Sequence, residues 1–339
     1  MNSNNSPNFE NAENIMELIR QIPEISSERR TIMFLIDGLG INNLSVPRQF
    51  ERKIYTTVFP SSTATFFYSF HSLLPPKRHG FLEWYMRFKD LKEPIAIPPW
   101  ETVSGKKLEL GKDIKREDIF PFKSLSEILW KKGLSSCYYT PYSDSAFTKV
   151  TSRRSRVVKI TYLSQVFPLY AADFTFIYWP SIDSILHEEF KSEAFYAEIR
   201  ALEFFIRILW KKIPYNSIFL IISDHGLIEK KRNYLLPIIE KVYPVGGSRV
   251  AFYKNVSKDT VAEEFKKRKI PAKIFEINEL EEFKGSINER CYENFGNIIA
   301  IAKNNVGFKY PFEKGKPFKG GHGGKSKEEI YVNVWIGRK

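Results

Sequence analysis

Three apolar runs, each followed closely by an aspartate, constrain most strongly what this chain can fold into. They span residues 31–36, 174–179 and 217–222. Runs of this length without polar alternation are typical of strands that are buried on both faces of a parallel sheet. Helical patterns lie between them, the clearest over residues 192–212, where apolar side chains recur every three or four positions. We therefore predict an α/β fold with a mostly parallel central sheet covered on both faces.

The residues that follow these runs are able to bind metals. Asp37, Asp183 and the Asp224-His225 pair each come soon after a predicted strand. The carboxyl ends of parallel strands share one edge of the sheet, where open α/β sheets place their ligands. Taken singly, each residue could be an ordinary turn or cap residue. Their joint occurrence favours a functional site.

Two further histidines extend the pattern. His187 is four residues after Asp183, so the two share a face if the segment is helical. His322 lies between two pairs of glycines, where the backbone can approach a ligand closely. Carboxylates, imidazoles and a hydroxyl are suitable ligands for zinc, with manganese and iron as alternatives. The number of such residues is sufficient for two ions.

A hydroxyl-rich turn, Phe59-Pro60-Ser61-Ser62-Thr63, separates an extended segment, residues 54–59, from a predicted helix, residues 64–74. A hydroxyl at a helix entrance faces free N–H groups and the positive end of the helix dipole. That environment suits an alkoxide or a bound phosphate. We predict that Thr63 is a nucleophile; the alternative is a plain turn with hydroxyl caps.

The remaining segments suggest the domain organisation. Residues 1–30 are predicted to form a polar lead and a short helix, residues 15–22, that ends before Pro23. A catalytic domain would cover residues 31–339. Within it, residues 81–121 are rich in proline, aromatic and charged residues and lack a period, which favours a lid-like insertion. Residues 245–308 change to shorter units and are predicted to form a small inserted α+β subdomain.

Composition narrows the class of protein. The net charge of +13 favours acidic partners such as nucleotides, but the basic residues are scattered and no nucleic-acid-binding motif is present. Two cysteines are too few for a disulfide framework. We find no apolar run that could span a membrane and no signal-peptide pattern, so we expect a cytoplasmic protein. The sequence does not indicate the oligomeric state.

The candidate site residues occur in a characteristic order: Asp37, Thr63, Asp183, His187, Asp224, His225 and His322. This order resembles the type I phosphodiesterase/nucleotide pyrophosphatase family of the alkaline phosphatase superfamily. The resemblance covers most of the chain from residue 31 and is weak over the predicted insertion and subdomain. It implies an alkaline-phosphatase-like three-layer α/β/α sandwich. It also implies a metal-dependent phosphoric ester hydrolase that acts on a small phosphodiester or nucleotide.

The resemblance also assigns the ligands of two divalent ions, of which zinc is expected. One ion would be held by Asp183, His187 and His322. The other would be held by Asp37, Asp224 and His225, with the Thr63 oxygen as an added ligand and a phosphothreonine intermediate in the reaction. His79 has no metal role in this pattern and is expected to be structural, and His71 is expected to pack on its helix. Trp84 stands where better-known members carry a phosphate-holding asparagine.

Other interpretations stay open. A phosphomonoesterase, phosphonate hydrolase or sulfatase could use the same scaffold, although the absence of an adjacent arginine or lysine at Thr63 favours a diester or pyrophosphate. A basic nucleic-acid-binding protein with a structural metal site is a possibility of another class. Trp84, Tyr85, Tyr178 and Trp179 could stack a nucleobase or pack in the core.

Overall fold

The computed structural model describes residues 12–42, 44–89 and 91–339; the first part of the predicted polar lead, residues 1–11, lies outside them. The strands are β1 (Glu13–Asn14), β2 (Arg30–Ile36), β3 (Phe50–Thr56), β4 (Tyr85–Met86), β5 (Ile95–Ala96), β6 (Glu101–Thr102), β7 (Ser136–Thr140), β8 (Arg156–Lys159), β9 (Phe174–Trp179), β10 (Ser217–Ile222), β11 (Ile228–Glu229), β12 (Arg232–Leu235), β13 (Val245–Gly246), β14 (Val250–Tyr253), β15 (Ala272–Glu276), β16 (Ile298–Ala302), β17 (Val306–Lys309), β18 (Gly320–Gly321) and β19 (Tyr331–Arg338). The α-helices are α1 (Ile15–Glu28), α2 (Thr63–Ser72), α3 (Pro76–His79), α4 (Arg116–Ile119), α5 (Leu125–Lys131), α6 (Ala146–Thr151), α7 (Ser181–Glu188), α8 (Glu193–Lys212), α9 (Lys258–Lys267), α10 (Glu289–Asn294) and α11 (Lys327–Ile330).

The central sheet is mostly parallel, as predicted. Its eight strands run in the order β1-β3-β19-β10-β2-β9-β7-β8. The last strand of the chain, β19, is antiparallel to both its neighbours, β3 and β10, and the other neighbouring pairs are parallel. Trp179 of β9 pairs with Ile36 of β2, and Ile222 of β10 pairs with Leu35. The carboxyl ends of β9, β2 and β10 therefore lie at nearly the same position along the strand direction.

Strand β2 shows why the sheet must be covered on both sides. Its alternate side chains Ile32, Phe34 and Ile36 are fully buried in one hydrophobic cluster, which includes apolar residues of α8. Met33 and Leu35 point to the opposite face and pack in a second cluster with residues of α1, α2 and α5. Because successive side chains of a strand alternate between faces, a continuous apolar run requires helices on both. The result is the predicted three-layer α/β/α sandwich.

A second sheet combines strands from the predicted insertion with strands from the predicted subdomain. Its seven strands run in the order β15-β16-β14-β13-β4-β5-β6. Strands β4 to β6 come from the predicted insertion, residues 81–121, and β13 to β16 come from the predicted subdomain, residues 245–308. The pairing of Gly246 with Tyr85 joins the two. The domain boundaries themselves stay a prediction.

The first helix is longer than predicted. Helix α1 begins after Asn14, whose side chain accepts a hydrogen bond from the Met16 N–H, and it continues through Pro23 to Glu28. A proline inside a helix removes one hydrogen bond and costs about 3 kcal/mol. Here Pro23 itself is buried, along with apolar neighbours such as Ile19 and Ile22. This packing holds the helix together, so the predicted end before Pro23 is wrong. Among the described helices, none has the length and apolar character needed to cross a membrane.

Candidate active site

The three predicted aspartates meet at the carboxyl edge of the central sheet. Asp37 directly follows β2, Asp183 lies in the first turn of α7 after β9, and Asp224 is two residues beyond β10. Strand β2 lies between the other two. The Asp183 N–H donates to the backbone carbonyl of Asp37 over 3.1 Å, and the Gly38 N–H donates to Asp224 Oδ1 over 3.1 Å. These bonds connect the three strand ends directly.

Thr63 reaches the same edge as the first residue of α2. Ser62 is the N-cap of this helix, and its side chain accepts a hydrogen bond from the Thr65 N–H. The Thr63 Oγ1 atom lies 3.0 Å from His225 Nε2 and 3.3 Å from Asp37 Oδ1. Thr63 is half-buried, while its neighbours Ser62 and Ala64 are buried. The hydroxyl therefore faces the acidic edge rather than the core.

Two groups of metal-competent atoms form at this edge. The outer group is Asp183, His187 and His322, and the inner group is Asp37, Asp224 and His225; within each, the ligand atoms lie within 4.8 Å of one another. The side chains of the outer group are 14–17% exposed, whereas those of the inner group are 0–3% exposed. The rings of His225 and His322 stack with centroids 3.9 Å apart. The groups are therefore adjacent, and a ligand reaches them from the outer side.

Each of the three histidines is oriented by a backbone carbonyl. Nδ1 lies 3.2 Å from the Gly320 oxygen in His187, 3.3 Å from the Gly226 oxygen in His225 and 3.2 Å from the Ser61 oxygen in His322. A carbonyl can only accept a hydrogen bond, so this contact assigns the proton to Nδ1. Nε2 is then left with its lone pair directed into the site. This arrangement is the one that metal-binding histidines adopt.

The carboxylates carry the electrostatic signature of a cation site. The pKa of Asp37 is raised well above its usual value, first by burial and then by the nearby charges of Asp224 and Asp183. Burial would also raise the pKa of Asp183, but the imidazoles of His187 and His322 hold it below its usual value. Within the described residues, Asp183 Oδ1 and Asp224 Oδ2 are buried without a hydrogen-bond partner. Buried carboxylate oxygens of this kind require a counter-charge.

The distances within each group suit a divalent ion. Asp183 Oδ1 lies 3.3 Å from His187 Nε2 and 3.8 Å from His322 Nε2. His225 Nε2 lies 3.5 Å from an oxygen of both Asp37 and Asp224. Ligands about 2.0–2.1 Å from a tetrahedral ion are separated from each other by about 3.3 Å. Both groups therefore fit a bound divalent metal, with Thr63 Oγ1 as a further oxygen beside the inner group.

A comparison with protein families places this chain in a known family. The family model described as type I phosphodiesterase/nucleotide pyrophosphatase matches residues 32–325, which is most of the chain. The chain belongs to the type I phosphodiesterase/nucleotide pyrophosphatase family. Members of this family, which is metal-dependent, hydrolyse phosphoester bonds, and this chain is one of those hydrolases. No curated protein matches the chain.

Solved structures share the fold of this family member. The ectonucleotide pyrophosphatase/phosphodiesterase 5 of mouse is 16% identical to this chain, with a TM-score of 0.68. The match covers 91% of this chain and 88% of the mouse chain. The human protein of the same name has a TM-score of 0.69 at 16% identity, with the same coverage. A phosphonoacetate hydrolase from Sinorhizobium meliloti 1021, solved with phosphonoacetate, is 12% identical, with a TM-score of 0.63 and coverage of 92% and 91%.

Several side chains beside the site of this phosphodiesterase family member were not predicted to act there. Tyr178 is buried and donates a hydrogen bond from its hydroxyl to Asp37 Oδ2, so of the two roles left open for it, packing in the core is the one that the structure favours. Tyr142 is 52% exposed, and its ring centroid lies 6.0 Å from that of Tyr178. Phe318 is 53% exposed and lies 4.9 Å from the His187 ring. Tyr142 follows β7, so the rule of shared strand ends could have found it; no sequence signal marks Phe318.

Proposed function

We propose that this hydrolase cleaves small phosphodiesters or pyrophosphates, such as nucleotides, through a covalent intermediate on Thr63. The observation that carries the proposal is the position of the Thr63 hydroxyl. It lies at the N-terminus of α2 and within 3.0–3.4 Å of His225 Nε2 and both carboxylate oxygens of Asp37. A hydroxyl beside two residues of the inner group is placed to become an activated nucleophile.

The chain would hold two divalent ions, of which zinc is our expectation from the ligand types. Asp183, His187 and His322 would hold one ion, and Asp37, Asp224 and His225 would hold the other. Bound divalent ions neutralise phosphate charge, lower the pKa of a nearby hydroxyl and stabilise a departing oxygen. With that contribution, Thr63 does not need a histidine base.

The residues of the chain then perform two displacements. In the first, Thr63 Oγ loses its proton to solvent and forms a bond to phosphorus while the bond from phosphorus to the leaving oxygen breaks. The leaving alkoxide or phosphate departs and takes up a proton from solvent. The free N–H groups and the dipole at the start of α2 favour negative charge on Oγ and on the phosphoryl oxygens. In the second, water attacks the phosphothreonine and regenerates the Thr63 hydroxyl. Two displacements at phosphorus give net retention of configuration.

The charge of the site favours a diester over a monoester. Within the described residues, the recorded ion-pair contacts of Asp37, Asp183 and Asp224 are with imidazoles. A phosphate monoester carries an additional negative charge, which an arginine or lysine at the site would normally balance. Among the structural neighbours, an inactive threonine-to-alanine variant of the mouse protein is seen with AMP, which supports a nucleotide-sized substrate.

The decisive experiment compares substrates in zinc- and manganese-supplemented protein. We expect turnover of a nitrophenyl nucleotide ester well above that of nitrophenyl phosphate, and loss of both in Thr63→Ala. Turnover of nitrophenyl phosphate alone would favour a phosphomonoesterase, and turnover of phosphonoacetate alone would favour a phosphonate hydrolase. Salt-dependent nucleic-acid binding without any turnover would contradict the proposal. The cytoplasmic location stays a prediction.

A further inference from the structure

The loop that carries His322 is fixed by hydrogen bonds to the buried carboxylate of Glu329. Glu329 Oε1 accepts a hydrogen bond from the Gly324 N–H over 2.8 Å, and its Oε2 accepts one from the Ser326 N–H over 3.1 Å. The Glu329 side chain is fully buried. Two hydrogen bonds from one carboxylate therefore fix the backbone immediately after His322.

Arg249 completes this arrangement from the second sheet. Its Nε donates to Glu329 Oε1 and its Nη2 donates to Oε2, both over 3.0 Å. Its remaining nitrogen, Nη1, donates to the carbonyls of Asn304 and Val306. Arg249 directly precedes β14 and is 2% exposed. The two parallel hydrogen bonds define the orientation of the carboxylate as well as its position.

The glycines after His322 are explained by close approach of acidic side chains. A Cβ atom on Gly324 would lie 2.8 Å from both oxygens of Glu329. A Cβ atom on Gly323 would lie 2.4 Å from Glu83 Oε1, and the φ angle of Gly323 is +106°. Only glycine allows the backbone to pass between these two carboxylates without displacing them.

Hydrogen bonds hold both the ring and the backbone of His322. Its Nδ1 is bonded to the Ser61 carbonyl, and its backbone carbonyl accepts a hydrogen bond from Ser248 Oγ over 3.1 Å. Ser248 and Arg249 are neighbours in the chain, so the second sheet contacts the loop at two consecutive positions. The position of His322 thus depends on Ser248 and Arg249, which lie beside the second sheet rather than in the central one.

We propose that the Arg249–Glu329 pair is a positioning device for His322 and so sets the affinity of the outer group for its ion. The inference rests on the proposed metal site. The pair holds the loop so that His322 Nε2 stays 3.8 Å from Asp183 Oδ1. The Glu329 backbone carbonyl accepts a hydrogen bond from the Gly226 N–H, next to His225, and a change of the Glu329 side chain leaves that bond in place. Among the described residues, no hydrogen bond or ion pair joins either side chain of the pair to Asp37, Asp224 or His225, so replacing a side chain should affect the outer ion and not the inner one. Residues that orient metal ligands in this way typically change affinity by about 10- to 100-fold.

The test is a zinc titration against a chromophoric chelator, which needs no substrate. Glu329→Gln keeps the side-chain shape but removes the charge that Arg249 binds. We expect about a 10- to 100-fold weaker affinity in one of the two zinc-binding steps, with the other step unchanged. The affected step should be the one that is lost in Asp183→Asn.

Glu127→Gln is a matched control. Glu127 is also the third residue of a helix with a serine N-cap, Ser124, and it also forms two hydrogen bonds with an arginine, Arg116. Like Glu329, it accepts a hydrogen bond from the N–H of its N-cap serine, so its replacement disrupts the same kind of bond and ion pair in a different part of the fold. Both zinc steps should be unchanged in this variant.

The outcomes separate this inference from the proposed function. Two zinc steps in the wild type that persist unchanged in Glu329→Gln, or that weaken equally, would overturn the positioning role alone. A wild type that binds no zinc would overturn the proposed metal site and this inference with it. If Glu329→Gln does not fold, Arg249→Lys keeps the positive charge but loses the paired geometry. It should then show the same selective loss, to a smaller extent; equal weakening of both steps would overturn the role.

Discussion

The Oγ1 atom of Thr63 lies 3.0 Å from Nε2 of His225, although 162 residues separate the two in the chain. The contact forms because β3 and β10 run in the same direction on either side of β19. The turn after β3 and the turn after β10 therefore reach the same edge of the sheet, and the first residue of α2 faces the histidine. This relationship connects the predicted nucleophile with the inner group.

Replacing the Thr63 hydroxyl should abolish turnover without removing metal. We expect Thr63→Ala to lower kcat on a phosphodiester by about three orders of magnitude or more. Asp37, Asp224 and His225 remain to bind the inner ion, so elemental analysis should find the same metal content as in the wild type. Thr63→Ser keeps a hydroxyl and is the control, with substantial activity expected. Wild-type-like turnover in Thr63→Ala would rule out the nucleophile.

Replacing Asp224 should instead reduce the metal content. Asp224 is fully buried, and its Oδ1 accepts hydrogen bonds from the Gly38 and His225 N–H groups. Asp224→Asn keeps much of that shape but loses the negative charge, so we expect about one ion fewer per chain by elemental analysis. Asp173→Asn is the control, because Asp173 precedes β9 at the opposite edge of the sheet. Equal metal content in both variants would contradict the assignment.

The hydrogen bond from Tyr178 to Asp37 should matter for the inner ion. Tyr178→Phe removes the hydroxyl that holds one oxygen of Asp37 and leaves the ring in place. We expect about a 10- to 100-fold loss of activity or of affinity for one ion. Tyr138→Phe serves as the control, since within the described residues the buried Tyr138 hydroxyl has no hydrogen-bond partner. A loss in Tyr138→Phe as large as that in Tyr178→Phe would show that the effect comes from packing.

Two histidines outside the site should make the fold sensitive to acid. Burial lowers the pKa of both His71 and His79 from 6.5 to about 3, so the folded state keeps them neutral. Below about pH 6.5 the unfolded state binds protons that the folded state does not, so the free energy of unfolding falls as the pH drops towards 3. At pH 5 each histidine would lower it by about 2 kcal/mol.

The variant His71→Phe tests this pH dependence. His71 packs among aromatic rings, including that of Tyr138, and its Nδ1 has no hydrogen-bond partner within the described residues. A phenylalanine should therefore fit there without leaving a polar atom unbonded. We expect the loss of unfolding free energy between pH 7 and pH 5 to be about 2 kcal/mol smaller than in the wild type. Denaturant titrations that give the same difference for both proteins would contradict the buried, neutral state.

The sequence predicts the parts of this fold that depend on local pattern. Strands β9 and β10 have the predicted bounds, and β2 begins one residue earlier, because long buried runs leave little ambiguity. Asp37, Asp183 and Asp224 could be placed together in advance because parallel strand ends coincide. The helix predicted over residues 192–212 is α8, which begins directly after its N-cap, Ser192.

Features that depend on distant pairing could not be predicted in this way. Strands β4, β5 and β6 are two residues long, and β4 pairs with β13 far along the chain, so no periodic pattern marks them. Glu329 accepts a hydrogen bond from the N–H of Ser326, the N-cap three residues earlier, which its sequence spacing permits. Its bond with Arg249 joins residues 80 positions apart and has no local signal.

The stereochemical course at phosphorus tests the central claim most directly. A chiral phosphorothioate diester hydrolysed in isotopically labelled water reports whether one or two displacements occur. Attack by Thr63 followed by attack by water gives net retention of configuration at phosphorus, which is the result that we predict. Net inversion would show that water attacks the substrate directly, and Thr63 would then not be the nucleophile.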